Sequence, residues 1–198
     1  IKDALKNLKK YKNINSDSSV ILKKLKKIKS NDIILTYRES KFFIHQNLKS
    51  FKKDFIKSKN PSLLVGGTDL SLEITKKRKD LNEIFYIGQN KDLNFVKIKK
   101  NNLHIGAATP INEILDSLNK YYPEFSEMFE RYGSEQIRNV ASLGGNIGSA
   151  SPIGDSLPVL ISLDTKLILD GSKSRKISMK DYFIGYRKTK LKKNEFIK

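Results

Sequence analysis

Two stretches of this 198-residue chain carry residue types and spacing suited to holding an anion. The first is LLVGGTDL at 63–70, an apolar run followed by Gly66, Gly67, Thr68 and Asp69. The second is SLGGNIGSASPIGD at 142–155, which brings together Ser142, Gly144, Gly145, Asn146 and Asp155. Residues without Cβ let the main chain approach a ligand closely, and successive N–H groups can converge into a nest for phosphate oxygens. That chemistry suits a pyrophosphate. Neither stretch has the GxGxxG spacing of a dinucleotide-binding βαβ unit or the GxxxxGK[ST] spacing of a phosphate loop, so those two folds are disfavoured. Glycines also simply make turns, and their presence alone does not identify a ligand. A carboxylate such as Asp69 or Asp155 beside a phosphate nest would repel the anion unless it accepts hydrogen bonds from hydroxyls or loop N–H groups. For Asp155, an Asx turn or a helix cap ahead of SLPVL is an equal alternative.

The elements that must position these stretches can be read from periodicity. Segment 18–29 places Val20, Ile21, Leu22, Leu25 and Ile28 near one face of a basic amphipathic helix, capped by the preceding Ser and Asp residues. Residues 33–37 and 42–46 read as short strands, and Asn47 as the cap of a helix carrying Leu48, Phe51, Phe55 and Ile56. Pro61 is expected to end that helix, with Leu63 to Val65 as a buried strand. FVKIKK and LHIGA flank Asn101-Asn102, the turn of a predicted hairpin. Thr109-Pro110 reads as a helix start with a capping hydroxyl, followed by Ile111, Ile114, Leu115 and Leu118. Phe125, Met128, Phe129 and Tyr132 repeat that spacing in a second helix, and 166–170 and 175–178 read as strands around Gly171. The expected class is α+β, with mixed short strands and helices.

Composition narrows the function classes. No run approaches the roughly 18 apolar residues of a membrane span, and the first residues lack the apolar segment of a secretory signal, so a soluble cytoplasmic protein with no membrane partner is expected. There is no cysteine, which excludes disulfides and thiolate-bound zinc or iron–sulfur clusters within these residues. Only His45 and His104 offer imidazole, and no metal is expected. The net charge of +18 raises nucleic-acid binding. The cations are mostly Lys spread along the whole chain, however, and Arg occurs only at 38, 78, 131, 138, 175 and 187. A solvated Lys-rich surface, with no nucleic-acid partner, is the favoured reading.

The stretch IRNVASLGGNIGSASPIGDSLPVL (137–160), with LLVGGTDL (63–70) and GYRKT (185–189), resembles the FAD-binding domain of xanthine dehydrogenases and related molybdenum hydroxylases. The resemblance runs in order from about residue 33 to the C-terminus. It implies a two-subdomain FAD-binding fold of the PCMH/vanillyl-alcohol-oxidase-like type, with the C-terminal subdomain truncated. Residues 1–32 are then a helical connector following a missing iron–sulfur domain, and 33–198 the FAD-binding domain.

By the same resemblance, the FAD contacts are Leu63, Leu64, Val65, Gly66, Gly67, Thr68, Asp69 and Leu70, then Ser142, Leu143, Gly144, Gly145 and Asn146, then Asp155. The first loop and the GGN segment would hold the pyrophosphate. Tyr132 stands where family members can carry Phe beside the isoalloxazine, and its hydroxyl needs a polar partner. Ile197 falls at a further contact position. Implied partners are an iron–sulfur domain and a molybdenum-cofactor subunit, with NAD or oxygen as electron acceptor and two catalytic units paired. No acid, base or nucleophile is assigned, because the flavin does the redox chemistry. The alternatives are a stand-alone FAD-dependent reductase, a basic nucleic-acid-binding protein, and a scaffold too short to hold FAD.

Overall fold

The computed structural model describes residues 18–28 and 31–198. The chain divides into two compact units, residues 1–31 and 32–198. In the first, helix α1 (Ser18–Lys27) forms where the amphipathic spacing predicts it, with Lys24, Lys26 and Lys27 in its last turn, where the helix dipole favours cations. The capping predicted for residues before Ser18, and residue 29, lie outside the described residues. Among the described residues no helix is long and apolar enough to cross a membrane.

The second unit opens with an antiparallel hairpin, β1 (Ile33–Tyr37) and β2 (Ser40–Ile44), turned at Arg38 with φ 52°. Helix α2 (Leu48–Phe55) follows, and Asn47 caps it by accepting from Ser50 N–H at 2.9 Å. Then come β3 (Pro61–Leu64), α3 (Leu70–Thr75) and β4 (Glu83–Tyr86). The sheet order is β1-β2-β4-β3, with β4 parallel to both β2 and β3. The helical period of α2 drives Phe51 and Phe55 inward onto Phe43 and Phe85, whose rings stack 4.3 Å apart. Pro61 does not end α2, as its position suggested. The helix closes at Phe55, six residues earlier, and Pro61 is the first residue of β3, a place where its missing N–H costs little. That strand is half-buried rather than buried.

The second half carries hairpin β5 (Val96–Lys99) and β6 (Asn102–Ile105). Its turn is Lys100-Asn101, with φ 48° and 60°, so the predicted turn lies one residue late and Asn102 pairs within the strand. Helices α4 (Ile111–Tyr121), α5 (Pro123–Glu130), α6 (Glu135–Arg138), α7 (Leu143–Gly148) and α8 (Ser156–Ser162) follow. Strands β7 (Lys166–Asp170) and β8 (Arg175–Ser178) match the predicted bounds, and α9 (Met179–Tyr182), β9 (Phe183–Gly185), β10 (Lys188–Thr189) and β11 (Phe196–Ile197) complete the unit. A three-stranded sheet runs β11-β7-β8. Its core packs Leu167 and Leu169 against Ile114, Leu118, Phe125 and Phe129.

Two local expectations fail for tertiary reasons. Thr109 makes no cap for α4, because its buried hydroxyl instead accepts from Phe95 N–H at 3.0 Å and donates to Phe95 O, tying the hairpin to the helix. Tyr132 lies beyond the end of α5, which closes at Glu130 before Gly133 turns with φ 57°. Phe196 of β11 belongs to the aromatic cluster of the first sheet, its ring 5.0 Å from Phe51 and 5.5 Å from Phe55. The last strand thus joins the two halves of this unit through its side chain as well as its main chain.

Candidate cofactor-binding site

A groove of about 1000 Å³ runs between the two sheets, at the upper end of the range for small-molecule sites and large enough for a dinucleotide. Of the sequence-predicted residues, Leu63, Val65, Gly66, Gly67, Thr68, Asp69, Leu70, Tyr132, Ser142, Gly144, Gly145, Asn146 and Ile197 line it. Leu64, Leu143 and Asp155 do not. Leu143 is buried in the second core, and Asp155 is exposed at the N-cap of α8, where its side chain makes no capping bond.

The two glycine stretches behave differently. In the first, the N–H groups of Gly66, Gly67, Thr68, Asp69 and Leu70 meet no acceptor among the described residues. Five successive donors without an acceptor therefore lie along the lining of the groove. Gly67 takes φ +71°, which turns the chain out of β3 toward α3.

The second stretch is no loop at its start and presents no nest. Residues 143–148 form α7, whose N-cap Ser142 accepts from Gly145 N–H at 3.1 Å. Leu143 N–H donates to Thr109 O, Gly144 N–H to Ala107 O and Asn146 N–H to Ser142 O, which consumes the helix's first donors. The glycines serve close packing instead. A Cβ on Gly144 would lie 2.4 Å from Ala107 Cβ and 2.5 Å from Ala107 O, whereas one on Gly145 would meet only Ser142 Oγ at 3.0 Å and otherwise enter the groove. A similar approach closes the first stretch, since a Cβ on Gly66 would lie 2.1 Å from Val140 O.

Tyr132 finds the polar partner its hydroxyl requires. Asn146 Nδ2 donates to Tyr132 Oη at 3.0 Å, and Ser156 Oγ, fully buried, donates to Asn146 Oδ1. Burial, with the nearby charges of Asp155 and Asp69, raises the phenol above its ordinary value despite the Asn146 hydrogen bond, so Tyr132 stays neutral.

Sequence reasoning missed two walls. One is Lys59, Asn60 and Pro61, held by Glu83, whose carboxylate accepts from Ser58 Oγ at 2.6 Å and from the N–H groups of Lys59 and Asn60. The Ser58 bond, then the two N–H groups, hold Glu83 below the usual carboxylate range. The other is Leu191 to Phe196, held by Glu195, which pairs with Arg175 through 2.7 and 2.9 Å bonds and accepts from Lys192 N–H. Arg175 above all holds Glu195 below its ordinary value. Lys59, Lys192 and Lys193 bring cations to the groove, while Leu63, Ile87, Ile137, Ala141 and Ile197 give it apolar surface. Free N–H donors, cations and apolar surface in one groove suit a ligand that is anionic in one part and apolar in another.

Comparison with known proteins identifies the family. The sequence profile of the family described as the FAD binding domain in molybdopterin dehydrogenase matches residues 39–198. The chain is 32% identical over 193 residues to xanthine dehydrogenase 2 of Arabidopsis thaliana, covering 90% of this chain and 14% of that protein. It is 28% identical over 153 residues to the nicotinate dehydrogenase FAD-subunit of Eubacterium barkeri, covering 76% of this chain and 49% of the relative. Among solved structures, carbon monoxide dehydrogenase from Hydrogenophaga pseudoflava superposes with a TM-score of 0.74 at 20% identity, over 82% of this chain and 58% of that one. Quinoline 2-oxidoreductase from Pseudomonas putida 86 gives 0.75 at 15%, with the same coverage. The chain therefore spans well under two thirds of each of these relatives. It shares its α+β fold with these two structures and belongs to the family of FAD-binding domains of molybdopterin dehydrogenases.

Proposed function

We propose that the groove holds FAD and that the chain serves as the flavin module of a molybdenum hydroxylase of the xanthine dehydrogenase type, in the cytoplasm. The observation that carries this reading is the run of five uncommitted N–H groups from Gly66 to Leu70, in one groove with apolar surface. The nest, with Lys59, Lys192 and Lys193, would take the pyrophosphate. Asp69 and Asp155, neither engaged by a side-chain capping bond, are available to accept from ribityl or ribose hydroxyls. Tyr132 and Ile197 would border the isoalloxazine, with Tyr132 held in place by Asn146. Gly145 leaves α7 bare where a side chain would enter the groove. Leu64 and Leu143 would act from behind the wall, by main chain and packing.

FAD held there would supply hydride and single-electron transfer, linking an iron–sulfur domain and a molybdenum-cofactor subunit as partners to NAD or oxygen as acceptor. Residues 1–32 would connect to the iron–sulfur domain, and two catalytic units would pair. The chain's own part is to bind the cofactor, orient its ring and exclude water from one face. The test is an absorbance spectrum after incubation with FAD and desalting, with FMN in parallel. Flavin bands kept with FAD and lost with FMN are expected, and equal loss of both from a folded protein overturns the assignment.

A further inference from the structure

The hydrogen bonds behind Tyr132 run in one direction, and a buried serine sets it. Ser156 opens α8 and is fully buried, and its hydroxyl has one side-chain partner among the described residues, the amide of Asn146. A hydroxyl carries a single proton, and a buried O–H without an acceptor costs more than an unused lone pair. The proton therefore goes to Asn146 Oδ1, which fixes the end of the amide that faces α8. The other end follows from the planar amide: Nδ2 faces Tyr132 and donates to its Oη at 3.0 Å. Turned end for end, the amide would leave the Ser156 proton with no acceptor, and Oδ1 would take the Tyr132 proton instead.

Tyr132 Oη is thereby an acceptor toward the protein, and its own proton has no acceptor among the described residues. Tyr132 and Asn146 both line the groove, whereas Ser156 does not. Burial first, then the charges of Asp155 and Asp69, keep the phenol protonated against the pull of the Asn146 bond, and neither carboxylate is hydrogen-bonded to it. The phenol thus has a proton to give, and the groove is where it can be given.

We propose, resting on the reading of the groove as a flavin site, that Ser156 is a positioning residue which, through Asn146, makes Tyr132 a hydrogen-bond donor to a carbonyl oxygen or an unprotonated ring nitrogen of the isoalloxazine. Negative charge builds up on such atoms when the ring is reduced, and a hydrogen bond to a charged acceptor is stronger than one to a neutral acceptor. A donor fixed there favours the reduced ring over the oxidised one. Phenylalanine in place of Tyr132 would pack against the ring equally well and lack this effect.

The test has one arm without ligand and one with FAD. Ser156→Gly leaves room for a water that can accept as well as donate, so the amide is no longer held one way round. In NMR of the free protein, cross-relaxation between the Asn146 amide protons and the Tyr132 ring is expected in the parent, and weaker by about half in this variant as two amide orientations share the population. Equal intensity in both would overturn the role of Ser156. With FAD bound, Tyr132→Phe is expected to lower the preference for reduced over oxidised FAD about tenfold, a fall of about 30 mV in the two-electron midpoint potential. Ser156→Gly should shift in the same direction, and Ser156→Gly/Tyr132→Phe should fall no further than Tyr132→Phe alone, because both act on one hydrogen bond. An unchanged potential in Tyr132→Phe would overturn the donor and leave the flavin reading intact. A parent chain that keeps no FAD would overturn that reading, and the free-protein arm would still decide whether Ser156 orients the amide.

Discussion

Lys52 Nζ on α2 lies 2.7 Å from Asp170 Oδ1 at the end of β7, so one ion pair links the helix of the first sheet to the central strand of the second. Asp170 is almost fully buried, and Lys198 Nζ stands 3.6 Å from its other oxygen. Burial alone would raise this carboxyl. The hydrogen bonds from Lys52 and Gly171 N–H and the charges of both lysines outweigh it and hold Asp170 below its ordinary value. Replacing Lys52 by Met leaves a buried charge with only a distant partner. A loss of about 2–4 kcal/mol in chemical denaturation is expected, largely restored in Lys52→Met/Asp170→Asn.

Acid should act on the same framework. Asp170, Glu83 and Glu195 all titrate below their ordinary values in the fold. A depressed folded pKa contributes stability above the unfolded value, and that stability is lost as pH falls through the folded value. Urea unfolding measured from pH 7 to pH 3 should show stability flat near neutrality and falling below about pH 5. Glu195→Gln should weaken that dependence, and a slope unchanged in this variant would mean that the Arg175 pair contributes little.

The glycines of the groove should separate into two kinds. Gly144→Ala forces a Cβ onto Ala107 main-chain and side-chain atoms at 2.4 to 2.7 Å and should cost about 3 kcal/mol or prevent folding. Gly145→Ala meets only Ser142 Oγ and should stay within about 1 kcal/mol of the parent. Gly145→Val should fold but lose at least tenfold in FAD affinity, read by fluorescence quenching of the flavin.

Asn146→Ala should remove the partner of both Tyr132 Oη and the buried Ser156 Oγ, at a cost of about 1–3 kcal/mol. Tyr132→Phe should be milder, because the phenol is half-buried and water can replace it at Asn146. Parallel melting curves of the two variants decide the order.

Asp155→Ala should leave unfolding within about 0.5 kcal/mol of the parent, since the exposed side chain makes no capping bond. A drop in FAD affinity at unchanged stability is the expected signature of a carboxylate kept for ligand hydroxyls. An unchanged affinity would remove Asp155 from the site.

Much of this arrangement can be read from the chain itself. Strands β7 and β8 and the α2 face of Phe51 and Phe55 follow from alternation and helical spacing, because burial enforces both periods. Helix α7 could not be read that way. Its sequence, LGGNIG, has poor helix propensity, and it forms through the Ser142 cap and main-chain bonds to Thr109 and Ala107, which come from a distant segment. The walls at Lys59 to Pro61 and Leu191 to Phe196 were also invisible, since each is held by a carboxylate distant from it or from its partner in the chain: Glu83 for the first, the Arg175–Glu195 pair for the second. Thr109 had the residue type of a cap but a nearer acceptor in Phe95.

The contact of Gly66 with Val140 O bears on how this protein can change over generations. A clash with a neighbouring side chain can be relieved by a compensating mutation that shrinks the neighbour. Here the atom in the way is a main-chain oxygen, which every amino acid carries, so no substitution at position 140 removes it. Position 66 is therefore locked to glycine by geometry and should leave no trace in a search for covarying pairs, while position 145 is free to drift as far as the bound molecule permits.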